Sequence, residues 1–228
     1  MIISHKHKFI FIKTKKTAGT SIEVFLSQYC GDNDIVTPIH PRIEPHVARN
    51  YRGFWNPVPD FFFRGGMGYK FAVLRLIGGY KFYNHIPAMH VKERIPDNIW
   101  DSYFKFCVER NPWDKTISHY YWRKHEFNQS LTFERYLQKG KFCLNYPLYI
   151  DHKGKILVDR VVKYESLASE MSEVFAMLGI PFNGDFGVKA KSGVRKDNRS
   201  YREVYTNEQK KIVEEVFSRE IELHGYCW

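Results

Sequence analysis

The chain has 228 residues, of which 43% are hydrophobic and 26% charged, and it carries a net charge of +10 with a pI of about 9.3. This length and apolar content suffice for one sizeable core, so we expect a single domain over residues 1–228. No segment reaches the ~20 apolar residues of a membrane-spanning helix, and the apolar run before Lys13 is too short for a signal peptide or an anchor, which favours a soluble, cytoplasmic protein.

The first predicted elements are a strand near residues 8–13 and an amphipathic helix over about 19–29. Four consecutive apolar residues, Phe9 to Ile12, are typical of a buried parallel strand. The sequence Lys-Thr-Ala-Gly-Thr-Ser connects the strand to the helix. The first N–H groups of a helix have no partner within the helix, and the helix dipole favours an anion at that end. The junction therefore predicts an anion site.

The residue types of this junction suit a phosphate group. Ala18 and Gly19 are small and let the backbone approach a ligand, Lys16 adds an ammonium group, and hydroxyl donors come from Thr17, Thr20 and Ser21. A nucleoside-triphosphate P-loop has the form G-x-x-x-x-G-K-[ST], with glycine ahead of the lysine. Here the glycine follows Lys16, which disfavours a Mg-NTP site of that type.

Regular periodicity is absent between residues 35 and 79. Prolines at 38, 41, 45, 57 and 59, together with Tyr51, Phe54 and Trp55, predict long ordered loops in this segment. Long loops on a rigid scaffold commonly carry the substrate side of a site. We therefore expect substrate recognition here.

A second strand is predicted over 104–109, followed by a helix over about 113–124. Arg110 lies at the carboxyl end of this strand, and the sequence Asn-Pro-Trp suits the first turn of a helix. In an open α/β sheet, ligands bind beyond the carboxyl ends of the strands, so Lys16 and Arg110 would face one crevice.

Two side chains of this second element could bind one phosphate. Arg110 can donate two parallel hydrogen bonds, and Ser118, two helical turns further on, can donate to the same group. The alternative is that Arg110 pairs with Glu109 or Asp114 and that Ser118 is solvated.

The remaining elements complete an α/β pattern. A strand is predicted near 158–163 and a helix over 166–178, and a capping box of Thr206 and Gln209 begins a helix that runs to about Ile221. Alternation of apolar strands with helices predicts an α/β fold with a central parallel sheet flanked by helices.

Two motifs resemble those of a known family. KTKKTAGTS (13–21) is similar to the 5′-phosphosulfate loop of sulfotransferases, whose usual form is PKTAGTS, and RNPWDKTIS (110–118) is similar to their 3′-phosphate motif. The match is specific to carbohydrate-type, family 2 sulfotransferases, and it extends through VVKYESL (161–167) and the segment 205–226. Lys15 departs from the pattern, because it stands where the family usually has proline. The resemblance implies a P-loop-like sulfotransferase fold.

The resemblance also implies a donor, 3′-phosphoadenosine 5′-phosphosulfate (PAPS), with PAP as the product. It implies that the 5′-phosphosulfate is held by the loop residues Lys16, Thr17, Gly19, Thr20 and Ser21. It places Arg110 and Ser118 at the 3′-phosphate, Tyr164 near the adenine and Arg195 over the 3′-phosphate. For the last two, the alternatives are a tyrosine of the core or rim and a solvated basic loop.

Sulfuryl transfer requires fixed hydrogen-bond donors and a general base. Negative charge spreads over the sulfuryl oxygens and the departing oxygen, and Lys16 is our candidate donor on the leaving-group side. His85 lies where related glycan sulfotransferases place a histidine, and an ordinary histidine pKa suits a general base near neutrality. The alternatives for the base are His90, His46 and Glu23.

Metal and disulfide chemistry receive no support from the sequence. The ten histidines and four cysteines show no metal-ligand spacing, and charge neutralisation by lysine, arginine and helix N–H groups requires no metal. The cysteines are scattered, so we expect free thiols.

Two other functions remain open. The basic charge suits nucleic acid, although helix-turn-helix, zinc-finger and RRM signatures are absent from the sequence and nucleic acid is not the expected partner. A nucleotide kinase of related fold is the third hypothesis. For a sulfotransferase, a sugar hydroxyl is the favoured acceptor, with lipid, small-molecule and peptide hydroxyls as alternatives.

Overall fold

A five-stranded mixed sheet forms the centre of the chain, with the strand order β3-β1-β2-β4-β5. The computed structural model describes residues 1–58, 67–188, 197 and 199–228. The strands are β1 (Ile2–Ser4), β2 (Phe9–Phe11), β3 (Ile35–Val36), β4 (Phe104–Glu109) and β5 (Arg160–Lys163).

The three strands nearest the predicted site run parallel. β2 pairs with β4 in the register Phe9 to Phe104, and β4 pairs with β5 in the register Phe106 to Arg160. The predicted α/β fold with parallel central strands and flanking helices is confirmed. β1 and β3 add an antiparallel edge to the sheet. The sequence pattern did not indicate these strands, because they have only three and two residues and show no periodicity of their own.

Nine α-helices are described in these ranges. They are α1 (Gly19–Ser27), α2 (Met67–Ile77), α3 (Ala88–Arg94), α4 (Asp97–Ser102), α5 (Pro112–Phe127), α6 (Phe133–Gln138), α7 (Leu167–Met177), α8 (Asn207–Val216) and α9 (Ser218–His224).

Two predictions about these elements were wrong. The segment 35–79 is not irregular throughout, since it contains β3 and α2. The single helix expected to run to Ile221 is interrupted at Phe217, whose buried ring packs in an aromatic and aliphatic cluster between α5, α6 and α8. Burial of that ring outweighs continuation of a regular helix.

Alternating strand residues bury both faces of the sheet. Phe9 and Phe11 pack into one cluster with residues of α1 and α7, whereas Ile10 and Ile12 belong to a second cluster on the opposite face. Because side chains of a strand alternate between faces, this apolar run covers both faces of the sheet at β2. The polar residues after each strand therefore lie at the edge of the sheet.

Local capping fixes the start of α5. The Asn111 side chain accepts hydrogen bonds from the backbone N–H groups of Trp113 and Asp114, and Pro112 occupies the first turn. The predicted capping box of Thr206 and Gln209 is present at the start of α8. Helix start signals in this chain were therefore readable from the sequence.

The four cysteines are free thiols, as expected. Burial raises the pKa of Cys143 to about 11. Within the described ranges, we find no helix that combines the length and the apolar character needed to cross a bilayer. The cytoplasmic location stays a prediction.

Candidate functional site

The loop between β2 and α1 has an unusual backbone. Lys16 and Ala18 both adopt left-handed conformations, with φ of 63° and 56°. Residues other than glycine rarely adopt this region, and such strain is concentrated at functional sites. Turns that enter the left-handed region direct successive N–H groups into a concavity that suits an anion.

The start of α1 has no capping side chain at its N-cap position. Ala18 is the N-cap residue and provides no side-chain hydrogen bond, so the first turn is not capped by its own cap residue. The helix dipole adds positive potential at this end. The backbone therefore fits the anion site predicted from the sequence.

Gly19 has a packing role that the sequence did not reveal. A Cβ atom at this position would lie 2.9 Å from Lys13 Cγ and 3.2 Å from the backbone oxygen of Thr14. Both distances are shorter than ordinary contacts, so a side chain here would push the loop away from Lys13. Glycine thus lets the loop close over the buried Lys13 side chain.

Lys13 and Glu23 form a buried ion pair beneath the loop. Lys13 Nζ lies 2.6 Å from Glu23 Oε2, and Thr37 donates to Glu23 Oε1 at 2.9 Å. Burial alone raises the pKa of Glu23, but the N-terminal ammonium group and Lys13 outweigh it and lower the pKa to about 2. Glu23, an alternative general base, is therefore fully engaged in this pair.

The hydroxyl group of Thr17 faces the protein. Thr14 donates to the backbone oxygen of Val108, so the hydroxyl contact of 2.8 Å between Thr14 and Thr17 has Thr17 as donor. Thr17 then has its backbone N–H, and not its hydroxyl proton, to offer a ligand. Thr20 is half-buried and Ser21 is buried in the first turn of α1.

Arg110 lies directly beside the loop. Its Nη1 donates to the backbone oxygen of Lys16 at 3.1 Å, and its Nε and Nη2 donate to Asp114 Oδ2 at 2.9 and 2.6 Å. The centre of the Tyr164 ring lies 4.1 Å from Arg110 Cζ. The pairing with Asp114 is the alternative recognised from the sequence. Among the described residues, these contacts use three of the five N–H donors of the guanidinium group, which leaves two for a phosphate.

The remaining residues predicted to bind the nucleotide lie on α5 or outside the described residues. Ser118 is half-buried in the second turn of α5. Lys16 Nζ lies 5.7 Å from the centre of the Trp122 ring, one turn further along the same helix. Arg195 lies outside the described residues. The structure thus brings Lys16, Arg110 and Tyr164 together, and it places α5 beside them.

His85 contacts the same loop from the segment before α3. Its Nδ1 lies 2.9 Å from the backbone oxygen of Lys13, and its φ is 59°. A carbonyl oxygen can only accept, so neutral His85 carries its proton on Nδ1 and has a lone pair on Nε2. Burial first, and Lys13 second, lower the pKa of His85 to about 3.

Of the two other histidines considered as bases, His90 contacts a glutamate and His46 is buried. His90 Nδ1 lies 3.1 Å from Glu93 Oε2 within α3. His46 is buried, its Nε2 has no hydrogen-bond partner among the described residues, and burial lowers its pKa. His85 is therefore the histidine of the three that directly contacts the loop backbone.

His119 is a site neighbour that sequence reasoning missed. Its Nδ1 lies 2.9 Å from the Tyr136 hydroxyl, and its ring stacks on Trp122 with centres 5.5 Å apart. Burial first, and then Lys16, lower its pKa to about 3. Its position next to Ser118 on α5 was the available signal.

A buried polar network behind the loop was also missed. Lys115 Nζ lies 2.7 Å from Glu109 Oε1 and 3.0 Å from Glu220 Oε2, with all three side chains fully buried. Tyr149 donates to Glu109 Oε2 at 3.1 Å. Glu109 immediately precedes Arg110, so the network supports the end of β4. No spacing rule connects Lys115 with Glu220 in the sequence.

These residues define an α/β protein with a cationic loop-helix junction at the carboxyl ends of two parallel strands. No protein-family model matches the chain. Over 101 residues the chain is 33% identical to an uncharacterized protein of Archaeoglobus fulgidus, and the match covers 42% of this chain and 84% of that protein. The chain belongs to the same family as that archaeal protein.

Two solved sulfotransferase structures are similar to the chain. One is mouse SULT7A1 complexed with PAP, with 15% identity, a TM-score of 0.49 and coverage of 96% of this chain and 86% of that chain. The other is a sulfotransferase from Alicyclobacillus acidocaldarius, with 19% identity, a TM-score of 0.43 and coverage of 97% and 96%. Because both TM-scores lie below 0.5, these similarities carry no conclusion about ligand or activity.

Proposed function

We propose that this protein is a PAPS-dependent sulfotransferase of P-loop-like fold, which transfers a sulfuryl group to an acceptor hydroxyl and releases PAP. The observation that carries the proposal is the 3.1 Å contact between Arg110 Nη1 and the backbone oxygen of Lys16. It joins the two motifs that would bind opposite ends of one doubly phosphorylated nucleotide. A single ligand can therefore reach both.

The residues present fit such an anionic donor. The left-handed backbone at Lys16 and Ala18 and the first turn of α1 suit the 5′-phosphosulfate. The two remaining N–H donors of Arg110, with Ser118, would bind the 3′-phosphate. We assign Tyr164 to the adenine side and Arg195 to the 3′-phosphate, and Thr17, Gly19, Thr20 and Ser21 to the phosphosulfate loop.

The transfer step requires stabilisation of charge on the leaving group. The acceptor oxygen bonds to sulfur, the bond from sulfur to the bridging phosphate oxygen breaks, and the electron pair stays on that oxygen. Lys16 and the N–H groups of the loop would donate to it as its charge develops. This chemistry asks for no metal.

His85 is our proposed general base. Its Nε2 lone pair would take the proton of the acceptor hydroxyl, while its Nδ1–H group continues to donate to the backbone oxygen of Lys13, 2.9 Å from Nδ1. Burial and Lys13 keep this histidine neutral, so its Nε2 lone pair is unprotonated near neutral pH, and its pKa of about 3 makes it a weak base in the free protein. Negative charge on a bound donor would raise its pKa toward the range where a general base is efficient.

The acceptor is proposed to be a carbohydrate. Phe54 is fully exposed and Trp55 half-buried in the loop region predicted to bind the substrate. The rings of Tyr51 and Tyr80 are stacked, with their centres 5.8 Å apart. They form an aromatic pair, and Tyr80 lies five residues before His85 in the sequence. Aromatic faces suit sugar rings.

Binding of PAP tests the donor assignment. We expect PAP to raise the melting temperature more than AMP or ATP does, and we expect the effect to be lost in Lys16→Ala and Arg110→Ala. Lys139→Ala removes an exposed lysine beyond the end of α6 and is the matched control. Equal stabilisation by all three nucleotides would contradict recognition of the 3′-phosphate.

Transfer of label from radioactive PAPS to a panel of hydroxyl acceptors tests the reaction. We expect transfer to a sugar hydroxyl, abolished in Lys16→Ala. Transfer only to lipid or peptide hydroxyls would support sulfuryl transfer and contradict the carbohydrate proposal. Phosphoryl transfer from Mg-ATP, or salt-sensitive binding of nucleic acid without binding of PAP, would contradict the proposed function.

A further inference from the structure

Asn145 binds the backbone of the phosphosulfate loop from behind. Its Oδ1 accepts from the backbone N–H of Lys15 at 2.9 Å, and its Nδ2 donates to the backbone oxygen of Lys15 at 3.0 Å. Asn145 is fully buried. The orientation of its amide group is fixed, because exchange of the two atoms would set donor against donor and acceptor against acceptor.

Asn145 is itself held by two carboxylates. Its backbone N–H donates to Glu220 Oε1 at 2.7 Å, and its Nδ2 also donates to Glu109 Oε1 at 3.2 Å. The same Glu109 oxygen accepts from the backbone N–H of Arg110 at 2.9 Å. The Glu109 carboxylate therefore holds both the Asn145 side chain, which supports the loop, and the backbone of Arg110, the residue proposed to bind the 3′-phosphate.

The identity of residue 15 makes this contact possible. Proline has no backbone N–H, so a loop with proline at position 15 would leave Asn145 Oδ1 without its donor. Proline also restricts φ, whereas lysine leaves it free. Lys15 thus loosens the loop beside the strained Lys16, and the two hydrogen bonds with Asn145, one accepted and one donated by its amide group, restrict the backbone of Lys15.

We propose that Asn145 is a positioning residue for sulfuryl transfer, which holds the Lys15 backbone so that Lys16 stays aligned with the leaving group. The proposal rests on the proposed function. Asn145 restricts the backbone at position 15 through hydrogen bonds, as a proline ring at that position would restrict it through its fixed φ. Loss of Asn145 should lower kcat more than the affinity for PAP. The alignment of Lys16 matters most in the transition state, whereas PAP is also held through its 3′-phosphate.

Asn145→Ala tests the proposal. We determine the concentration of folded protein from the amount of bound PAP and calculate kcat from it. We expect this kcat to fall about 10- to 100-fold, because a misplacement of about 1 Å can lower a reaction rate about 100-fold. The Kd for PAP should rise by a smaller factor. A purely structural role would lower the melting temperature and leave kcat per folded protein unchanged.

Asp159→Ala is the matched control. Asp159 Oδ2 accepts from the backbone N–H of Lys105 at 2.7 Å, at the opposite end of β4 from the site. Its loss removes a comparable support of the same strand without contact to the loop. We expect a lower melting temperature and wild-type kcat.

Lys15→Pro provides the rescue. We expect the Asn145→Ala, Lys15→Pro double variant to have a higher kcat than Asn145→Ala, because the proline ring restricts the peptide that lost its hydrogen bonds. A double variant no better than Asn145→Ala would overturn the equivalence of Asn145 with proline.

Wild-type behaviour separates this inference from the proposed function. If the wild-type protein binds no PAP and transfers no label, the proposed function fails. If it does both and Asn145→Ala keeps kcat within twofold of the wild type, the positioning role of Asn145 is overturned. An equal loss of kcat in Asp159→Ala would overturn it as well.

Discussion

Arg110 donates through Nη1 to the backbone oxygen of Lys16 at 3.1 Å, although the two residues are 94 positions apart in the chain. Asp114 holds the opposite edge of the guanidinium group. The group is therefore oriented before a ligand arrives, which reduces the ordering required on binding. Its neighbours also explain why a lysine would be a poor replacement.

We predict that Arg110→Lys weakens PAP binding at least tenfold and leaves 5′-AMP binding within about threefold. A lysine ammonium cannot donate to Asp114, to Lys16 and to a phosphate in one fixed plane. Isothermal titration with PAP and AMP measures both effects. Equal loss for the two nucleotides would show that Arg110 does not contact the 3′-phosphate.

We predict that Gly19→Ala destabilises the protein by about 1–3 kcal/mol, the range typical of overpacking. The new Cβ would meet Lys13 Cγ at 2.9 Å. Gly31→Ala is the matched control, because a Cβ there meets nothing within 4 Å, and its effect should stay within about 0.5 kcal/mol. Urea unfolding compares the two variants, and similar losses would contradict the packing role of Gly19.

The pH dependence of activity provides a test of His85. Its pKa of about 3 means that the free enzyme keeps the base form as pH falls from 8 to about 5, so log(kcat/KM) should show no inflection near 6.5. The kcat profile reports the enzyme with donor bound, and its acid limb should lie at higher pH.

A substitution identifies the group that titrates. His85→Asn should abolish turnover while PAP binding survives, because it removes the base and not the loop. Residual turnover in this variant with the same acid limb of kcat as the wild type would assign the titration to another residue. Near-normal turnover in His85→Asn would remove it from the role.

We predict that Lys115→Met destabilises the protein by about 3–5 kcal/mol at pH 7. Lys115 is fully buried between Glu109 and Glu220, and its loss leaves two carboxylates without their counter-ion. Burial alone lowers the pKa of Lys115, but the two carboxylates outweigh it and raise the pKa. Burial first, and then Glu109, raise the pKa of Glu220, and Lys115 opposes this rise. Without Lys115, Glu220 takes up a proton more readily, so the stability of the variant relative to the wild type should improve as pH falls toward 5.

Thr116→Val is the control for this variant. Thr116 is the next residue of the same helix, and its buried hydroxyl has no hydrogen-bond partner among the described residues. Replacement by valine removes a buried polar atom that forms no hydrogen bond with the described residues, so we expect unchanged or slightly higher stability. A loss as large as that of Lys115→Met would show that the position, and not the buried charge, is responsible.

The strands and helices that carry the site could be read from local sequence. Apolar runs predicted β2 and β4, and the residues after each run predicted the start of α1 and α5. These features depend on neighbouring residues, because helix caps, dipoles and periodicity act within a few positions. The α/β class followed from the same alternation.

Side-chain partners depended on contacts between distant segments. The Asn145 contact with Lys15 spans 130 positions, and the Lys115 contact with Glu220 spans 105. Neither pair shares a strand, a helix or a motif, so no local pattern relates them. The tautomer of His85 likewise depends on a carbonyl oxygen 72 positions away.

The sequence therefore predicted which groups are suited to bind an anion, since that property belongs to residue types and to the start of a helix. Folding decided which of their donors remain available: Thr17 uses its hydroxyl proton on Thr14, and Arg110 shares its donors between Asp114 and Lys16. The reason is physical, because a buried donor must find a partner, and packing brings that partner from elsewhere in the chain.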